Sequence, residues 1–191
     1  TFDFSVRKNI VYRGKATVTN GAFSFTFVVP KDIIYQVGTG RIGYYAESLS
    51  SNACGYTNDP LVGGTATGVP ADANGPDIAL YLNDDRFVQG GITNGSPLLY
   101  ARIFDENGIN TTGNSIGHDL TAVLDANTDN EVVLNDYYEA DLDTWKSGKV
   151  RYRYSGLSEG THTLTLKAWD THNNSSVKTT EFVVTSSEEL A

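Results

Sequence analysis

The stretch Thr161-His162-Thr163-Leu164-Thr165-Leu166-Lys167-Ala168-Trp169 alternates strictly. Successive side chains of a strand point to opposite faces. His162, Leu164, Leu166 and Ala168 therefore share one face, and Thr163, Thr165, Lys167 and Trp169 share the other. This period of two predicts a strand with one buried side. Leu157-Ser158-Glu159-Gly160, just before it, reads as a turn in which Gly160 is free to take positive φ.

The same pattern recurs along the chain. In Ala22–Val29, AFSFTFVV, the rings of Phe23, Phe25 and Phe27 fall on one face and the hydroxyls of Ser24 and Thr26 on the other. Asn20-Gly21 before it is a type I′ hairpin signal, and Val11–Val18 is its natural antiparallel partner. Further expected strands are Phe2–Val6, Arg41–Ala46, Asp77–Leu82, Pro97–Phe104, Asp119–Leu124, Glu131–Asn135, Lys149–Tyr154 and Thr179–Thr185. Only Tyr137–Lys146 is open to a helical reading, and its flanks read as strand. Short strands separated by Gly, Asn and Asp turns predict an all-β chain of sandwich type.

The run from Gly63 to Pro76 is dominated by Gly, Pro and small residues and has no apolar pattern. It reads as a linker. The expected organisation is two immunoglobulin-like β-sandwich modules, at 1–62 and 77–185, joined by the linker 63–76 and followed by a tail at 186–191. The first module is small for a sandwich and its strand pattern starts at Phe2, so an incomplete N-terminus is the expectation.

Composition bounds the function. The 191 residues are 19% charged and 39% hydrophobic, with a formal net charge of −9. Such acidity repels a phosphate backbone, which argues against nucleic acid as a partner. No apolar run approaches the ~20 residues that cross a bilayer. The sequence has no Met and no charged-then-apolar leader, so any signal peptide is expected outside it. Its one cysteine, Cys54, excludes an internal disulfide and leaves the redox compartment open.

Several segments invite a chemical reading. Gly113-Asn114-Ser115-Ile116-Gly117, followed by His118, has the G-x-S-x-G spacing of a serine-hydrolase elbow. That device needs a strand-to-helix turn on an α/β sheet, whereas a polar loop precedes Ser115 and a strand pattern follows it. His118 is expected to pack or cap a strand entry, with Asp119 satisfying turn amides. Cys54 precedes the linker and all three histidines, His118, His162 and His172, follow it, so a Cys–His pair would have to span two modules.

Asp125-Ala126-Asn127-Thr128-Asp129 matches the first half of a calcium loop, but Asn130 stands where Gly is wanted and Asp136 where a bidentate Glu is wanted. Asx residues there serve equally well as a hairpin turn, and so do Asp105-Glu106-Asn107-Gly108. The histidines are too scattered to propose zinc. No catalytic, cofactor-binding or metal residue is assigned, and no cofactor is expected. Tyr44-Tyr45, Tyr137-Tyr138, Tyr152, Tyr154 and Trp169 are candidates for a sugar-stacking platform, set against an ordinary role in the core.

Longer segments carry a resemblance. They are Phe27–Ile33 (FVVPKDI), Gly40–Ala46 (GRIGYYA), Gly117–Asp125 (GHDLTAVLD), Val133–Asp141 (VLNDYYEAD) and Thr161–Asp170 (THTLTLKAWD) followed by Asn173-Asn174-Ser175. Together they resemble the region after the peptidase domain in the gingipain-family cysteine peptidases that act as sortases of bacterial type IX secretion. The resemblance implies a non-catalytic scaffold or interaction segment of a cell-surface enzyme. That enzyme removes C-terminal sorting domains from secreted cargo. It works with an outer-membrane β-barrel partner and transfers the new terminus to lipopolysaccharide. Cys54 does not sit in the family's catalytic context, and no catalytic residue carries over to it. An unpaired edge strand is expected to dock cargo or barrel segments. The alternatives are a carbohydrate- or lipopolysaccharide-binding module and an adhesin stalk.

Overall fold

A computed structural model describes residues 10–33, 36–69, 71–113 and 117–186. The chain is nearly all β, and its described helical residues are two three-residue 3-10 turns, Thr128–Asn130 and Asn135–Tyr137. In chain order the strands are β1 (Gly38–Thr39), β2 (Ile42–Glu47), β3 (Asn52–Thr57), β4 (Leu61–Val62), β5 (Asp77–Leu82), β6 (Gly91–Thr93) and β7 (Leu98–Phe104). They continue as β8 (Thr121–Leu124), β9 (Val132–Val133), β10 (Tyr138–Ala140), β11 (Ser147–Arg153), β12 (Gly160–Trp169) and β13 (Ser175–Val184). Among the described residues, no helix is long and apolar enough to cross a membrane.

Strands β5 to β13 form two sheets. One has the order β10-β11-β7-β5 and the other β6-β13-β12-β8-β9. With β5, β7, β10 and β11 as strands A, B, D and E, and β8, β9, β12 and β13 as C, C′, F and G, this is immunoglobulin-like connectivity. β6 extends the second sheet as a parallel neighbour of β13.

The opening alternation sets the core. His162, Leu164, Leu166 and Ala168 of β12 are buried, and the hydroxyl face lies outward. Phe182 and Val184 of β13 and Ala122 of β8 join them. The facing sheet supplies Leu80, Leu82, Leu99, Ala101, Ile103, Tyr138, Ala140 and Val150. Each fully buried Leu or Val of this kind is worth ~1.5–3 kcal/mol of transfer free energy. Among the described residues, the hydrophobic core cluster is drawn from Leu80 to Val184.

The earlier residues behave differently. β2 and β3 form a hairpin, and β1 pairs with β4. Asn20 and Gly21 both take positive φ, 52° and 78°, as the hairpin signal requires. The turn closes with paired Thr19–Ala22 backbone bonds of 2.9 and 3.0 Å. Beyond that closure, the expected strands Val11–Val18 and Ala22–Val29 make no ladder with each other. Lys15 instead bridges to Leu142 of the sandwich, and Thr17 donates to Asp143 from its amide and its hydroxyl. The outer backbone is taken by the 141–143 loop rather than by a local partner. The expected strand Phe2–Val6 lies outside the described residues.

Tyr137–Lys146 is not helical. A 3-10 turn leads into β10, and Asp143 at φ 61° turns the chain before β11. The flanking strand reading prevails because Tyr138 and Ala140 alternate inward. β3, which carries Cys54, has no apolar alternation, and it is recruited by pairing with β2.

Leu166→Ala should cost ~2–5 kcal/mol of unfolding free energy, because Leu166 is fully buried between the sheets. Val177→Ala, on the neighbouring strand but 59% exposed, should stay within ~0.5 kcal/mol. Urea unfolding of both variants measures the contrast.

Candidate junction and interaction surface

The β12–β13 turn, Asp170-Thr171-His172-Asn173-Asn174, collects contacts from three distant segments. It is built around Asp170, which is fully buried. Asp170 Oδ1 accepts the His172 and Asn174 amides at 2.9 and 2.7 Å, and Oδ2 accepts Asn174 Nδ2 at 2.8 Å. Asn173 takes φ 69°, which Asn tolerates better than most residues.

The outer groups of this turn bind the rest of the chain. The Lys31 amide donates to the Thr171 carbonyl at 3.0 Å, and Lys31 Nζ donates to the His172 carbonyl at 3.1 Å. Asn173 Nδ2 donates to Asp32 Oδ1 at 2.9 Å. Thr171 Oγ1 donates to the Asn107 carbonyl at 2.9 Å, and Asn174 Nδ2 donates to the Asp72 carbonyl at 3.3 Å.

Asp32 is the second anchor. Its Oδ2 accepts Asn110 Nδ2 at 2.7 Å and lies 2.8 Å from His118 Nδ1. His118 also packs on the Trp169 ring, with centroids 4.2 Å apart. Lys167 Nζ lies 4.3 Å from the centre of the same indole. His118 thus serves as a packing and hydrogen-bonding residue, while Ser115 lies outside the described residues. Asn135, rather than Asp119, satisfies the strand-entry amide: its Oδ1 accepts the Leu120 amide at 2.8 Å, and its Nδ2 donates to Asp119 Oδ1.

The calcium-like loop is a turn in this structure. Asp125 and Ala126 both take φ 55°. Asp125 Oδ2 lies 2.7 Å from His162 Nδ1, and Oδ1 accepts the Thr163 amide at 2.9 Å. Asn127 caps the following 3-10 turn by accepting the Asp129 amide. Both Asp125 oxygens therefore face β12. His162 is almost fully buried, and its Nε2 lies 2.8 Å from the Ser158 carbonyl. Burial opposes its protonation, but the Ser158 carbonyl and the Asp125 carboxylate outweigh that, and the pKa is raised above 6.5. At the other candidate turn, Asp105 Oδ1 accepts the Asn107 amide at 2.7 Å. Burial, reinforced by the Asp170 and Asp72 charges, lifts the Asp105 carboxyl to about 6.

The sugar-platform candidates divide. Tyr152 packs edge-on against Tyr137 and Tyr154, with centroids 5.0 and 5.1 Å apart, and Tyr138 and Tyr154 bury their hydroxyls. Trp169 is flanked by His118 and Lys167. Tyr44 and Tyr45 remain exposed on β2. The β2–β3 register places Tyr45, Cys54 and Tyr56 on one face, with the Arg41 guanidinium 4.0 Å above the Tyr56 ring. Tyr44 lies on the opposite face, 5.7 Å from Phe23. Phe23, Phe25, Phe27 and Tyr12 continue as a row of near-parallel rings. Phe23 and Phe25 are about two-fifths exposed, so this row presents an apolar face to solvent.

The sheet edges are equally uneven. Edge strands β6, β9 and β10 are two or three residues long, whereas edge strand β5 has six. Short edges resist strand addition, and a longer one permits it.

Asp32→Ala should leave Asn110, Asn173 and His118 without their shared acceptor. Trypsin should then cut at Lys31 much faster than in the parent chain, while the sandwich core stays resistant. For His162, the raised pKa means that protonation favours the fold: its contribution is full below about 6.5 and is lost as pH rises through the folded-state pKa. The urea midpoint should therefore fall between pH 6 and pH 8.5, and His162→Gln should flatten that slope.

No protein-family model matches the chain, and no curated protein matches it. A solved structure does. The crystal structure of dimeric latent PorU from Porphyromonas gingivalis is 35% identical over 89% of this chain, with a TM-score of 0.60. The matched part is 16% of that chain, so the sequence spans about one-sixth of its relative. The resemblance read from the sequence and the likeness of the folded chains coincide: this is an all-β, PorU-like segment.

Proposed function

We propose that the chain is the non-catalytic β-sandwich scaffold and interaction segment of a PorU-like sortase of the bacterial cell surface. Such an enzyme is a gingipain-type cysteine peptidase that processes the C-terminal sorting domains of type IX secretion cargo. The observation that carries this reading is the 35% identity to PorU over 89% of the chain. The placement of the reactive groups supports it. Cys54 is exposed on the β2–β3 ribbon, opposite Tyr45. His118 is tied to Asp32, and His162 is tied to Asp125 and Ser158. A nucleophilic thiol needs a base within hydrogen-bond reach.

In this reading the sandwich holds the peptidase at a set distance from the outer membrane. The β5 edge and the Phe23–Phe25–Tyr44 face meet the barrel partner or the cargo, by strand addition and by apolar burial. A second reading, a carbohydrate- or lipopolysaccharide-binding module, is favoured by the exposed Tyr45 on the same face as Tyr56, whose ring carries Arg41. An open aromatic ring suits a sugar face, and a neighbouring cation suits an anionic substituent.

The test replaces this segment, in its parent protein, with an unrelated immunoglobulin-like sandwich. Labelling of the parent's catalytic thiol should persist while removal of sorting domains from cargo fails. Unimpaired processing would refute the interaction role. Peptide hydrolysis by the isolated chain, lost in Cys54→Ala, would refute the non-catalytic one. Retention on immobilised lipopolysaccharide, abolished by Tyr45→Ala with Tyr56→Ala, would favour the second reading.

A further inference from the structure

We propose that Asp72, Asp170 and His172 bind one first-row divalent metal ion of the zinc class, and that this ion clasps the segment before β5 to the β12–β13 turn. Each residue offers one ligand atom, and the three atoms lie within 4.8 Å of one another. Asp72 is distant in sequence from the Asp170–His172 pair, which is why spacing along the chain gives no zinc signature.

His172 supplies an observation independent of the carboxylates. Its side chain belongs to a residue only 9% exposed. The polar contact of its ring is Thr171 Oγ1, 3.5 Å from Nδ1, at the outer limit of a hydrogen bond. No short hydrogen bond from the described residues occupies either ring nitrogen, so a metal ion could bind there without breaking one.

The carboxylates are already oriented. Asp72 Oδ1 accepts the Asn74 amide at 3.1 Å, and Oδ2 accepts Asn107 Nδ2 at 2.7 Å. Asp170 is held by the His172 amide, the Asn174 amide and Asn174 Nδ2. An ionised carboxylate has roughly four acceptor positions. Asp72 thus keeps lone pairs on both oxygens, and Asp170 keeps one on Oδ2. Outer hydrogen bonds that fix ligand carboxylates are a regular feature of metal sites. A dication at this point would be attracted by both carboxylates.

The donor set selects the metal. Imidazole with carboxylate oxygen suits zinc and its first-row neighbours, whereas calcium takes six to eight oxygens. Three protein ligands leave a fourth position for water.

The test uses the 191-residue chain, stripped with EDTA and titrated with ZnCl₂ by calorimetry. Cobalt(II) serves as a coloured probe. The expected result is one saturable equivalent of zinc, a visible cobalt band that zinc displaces, and a raised melting temperature. Asp72→Asn and His172→Gln should each weaken zinc at least tenfold. Asp72→Asn should leave the metal-free circular dichroism unchanged, which separates ligand loss from misfolding. Asp129→Asn, in a distant exposed turn, should bind as the parent chain does. No saturable uptake, wild-type affinity in both ligand variants, or a preference for calcium over zinc would overturn the proposal.

Discussion

The buried carboxylate of Asp170 is the constraint on which the outer parts of this chain depend. A carboxylate at zero exposure is tolerable only when its oxygens are satisfied, and Asp170 meets that condition within its own turn. Because it takes two amides and a side-chain amide of the turn, the outward carbonyls and amides of residues 171–174 are left to face other segments. Those segments are the strap at 31–32, the loop at 107 and the segment at 72. One local hydrogen-bond arrangement thus ties the strap at 31–32 and the segment at 72 to the sandwich.

Two kinds of cohesion coexist here. In the sandwich, inward-facing residues of two sheets meet across an apolar layer, and area removed from water dominates. Before Pro76, the described chain is held by hairpin ladders, by polar contacts to the sandwich, and by rings that stack on each other while remaining partly exposed. Stacked rings contribute ~0.5–1.5 kcal/mol per pair beyond their burial, much less than a filled core. The same arrangement leaves an apolar face available to a partner.

The chemically suggestive residues are largely occupied by structure. His118 binds Asp32 and covers Trp169. His162 and Asp125 lock the β8–β9 turn onto β12. Asn135 bridges Asp119 and the Leu120 amide. For His118, His162 and Asp125, a polar group that invites a catalytic or metal reading in the sequence is instead a hydrogen-bond partner within the fold. Turns need the same oxygen and nitrogen groups that active sites need.

What the sequence determined by itself was local. Alternation at Thr161–Trp169 fixed which face of β12 is buried, because the side-chain period of a strand is two whatever its neighbours are. Asn20-Gly21 specified a turn with two positive φ angles, because those residues tolerate that backbone. Tertiary structure decided the pairings. It gave Lys15 and Thr17 to the 141–143 loop instead of to a hairpin partner, recruited the weakly patterned β3 through β2, and brought Asp72 to Asp170 and His172. Backbone donors and acceptors are alike at every residue, so a strand's partner, and the company a buried side chain keeps, are set only once the whole chain competes for them.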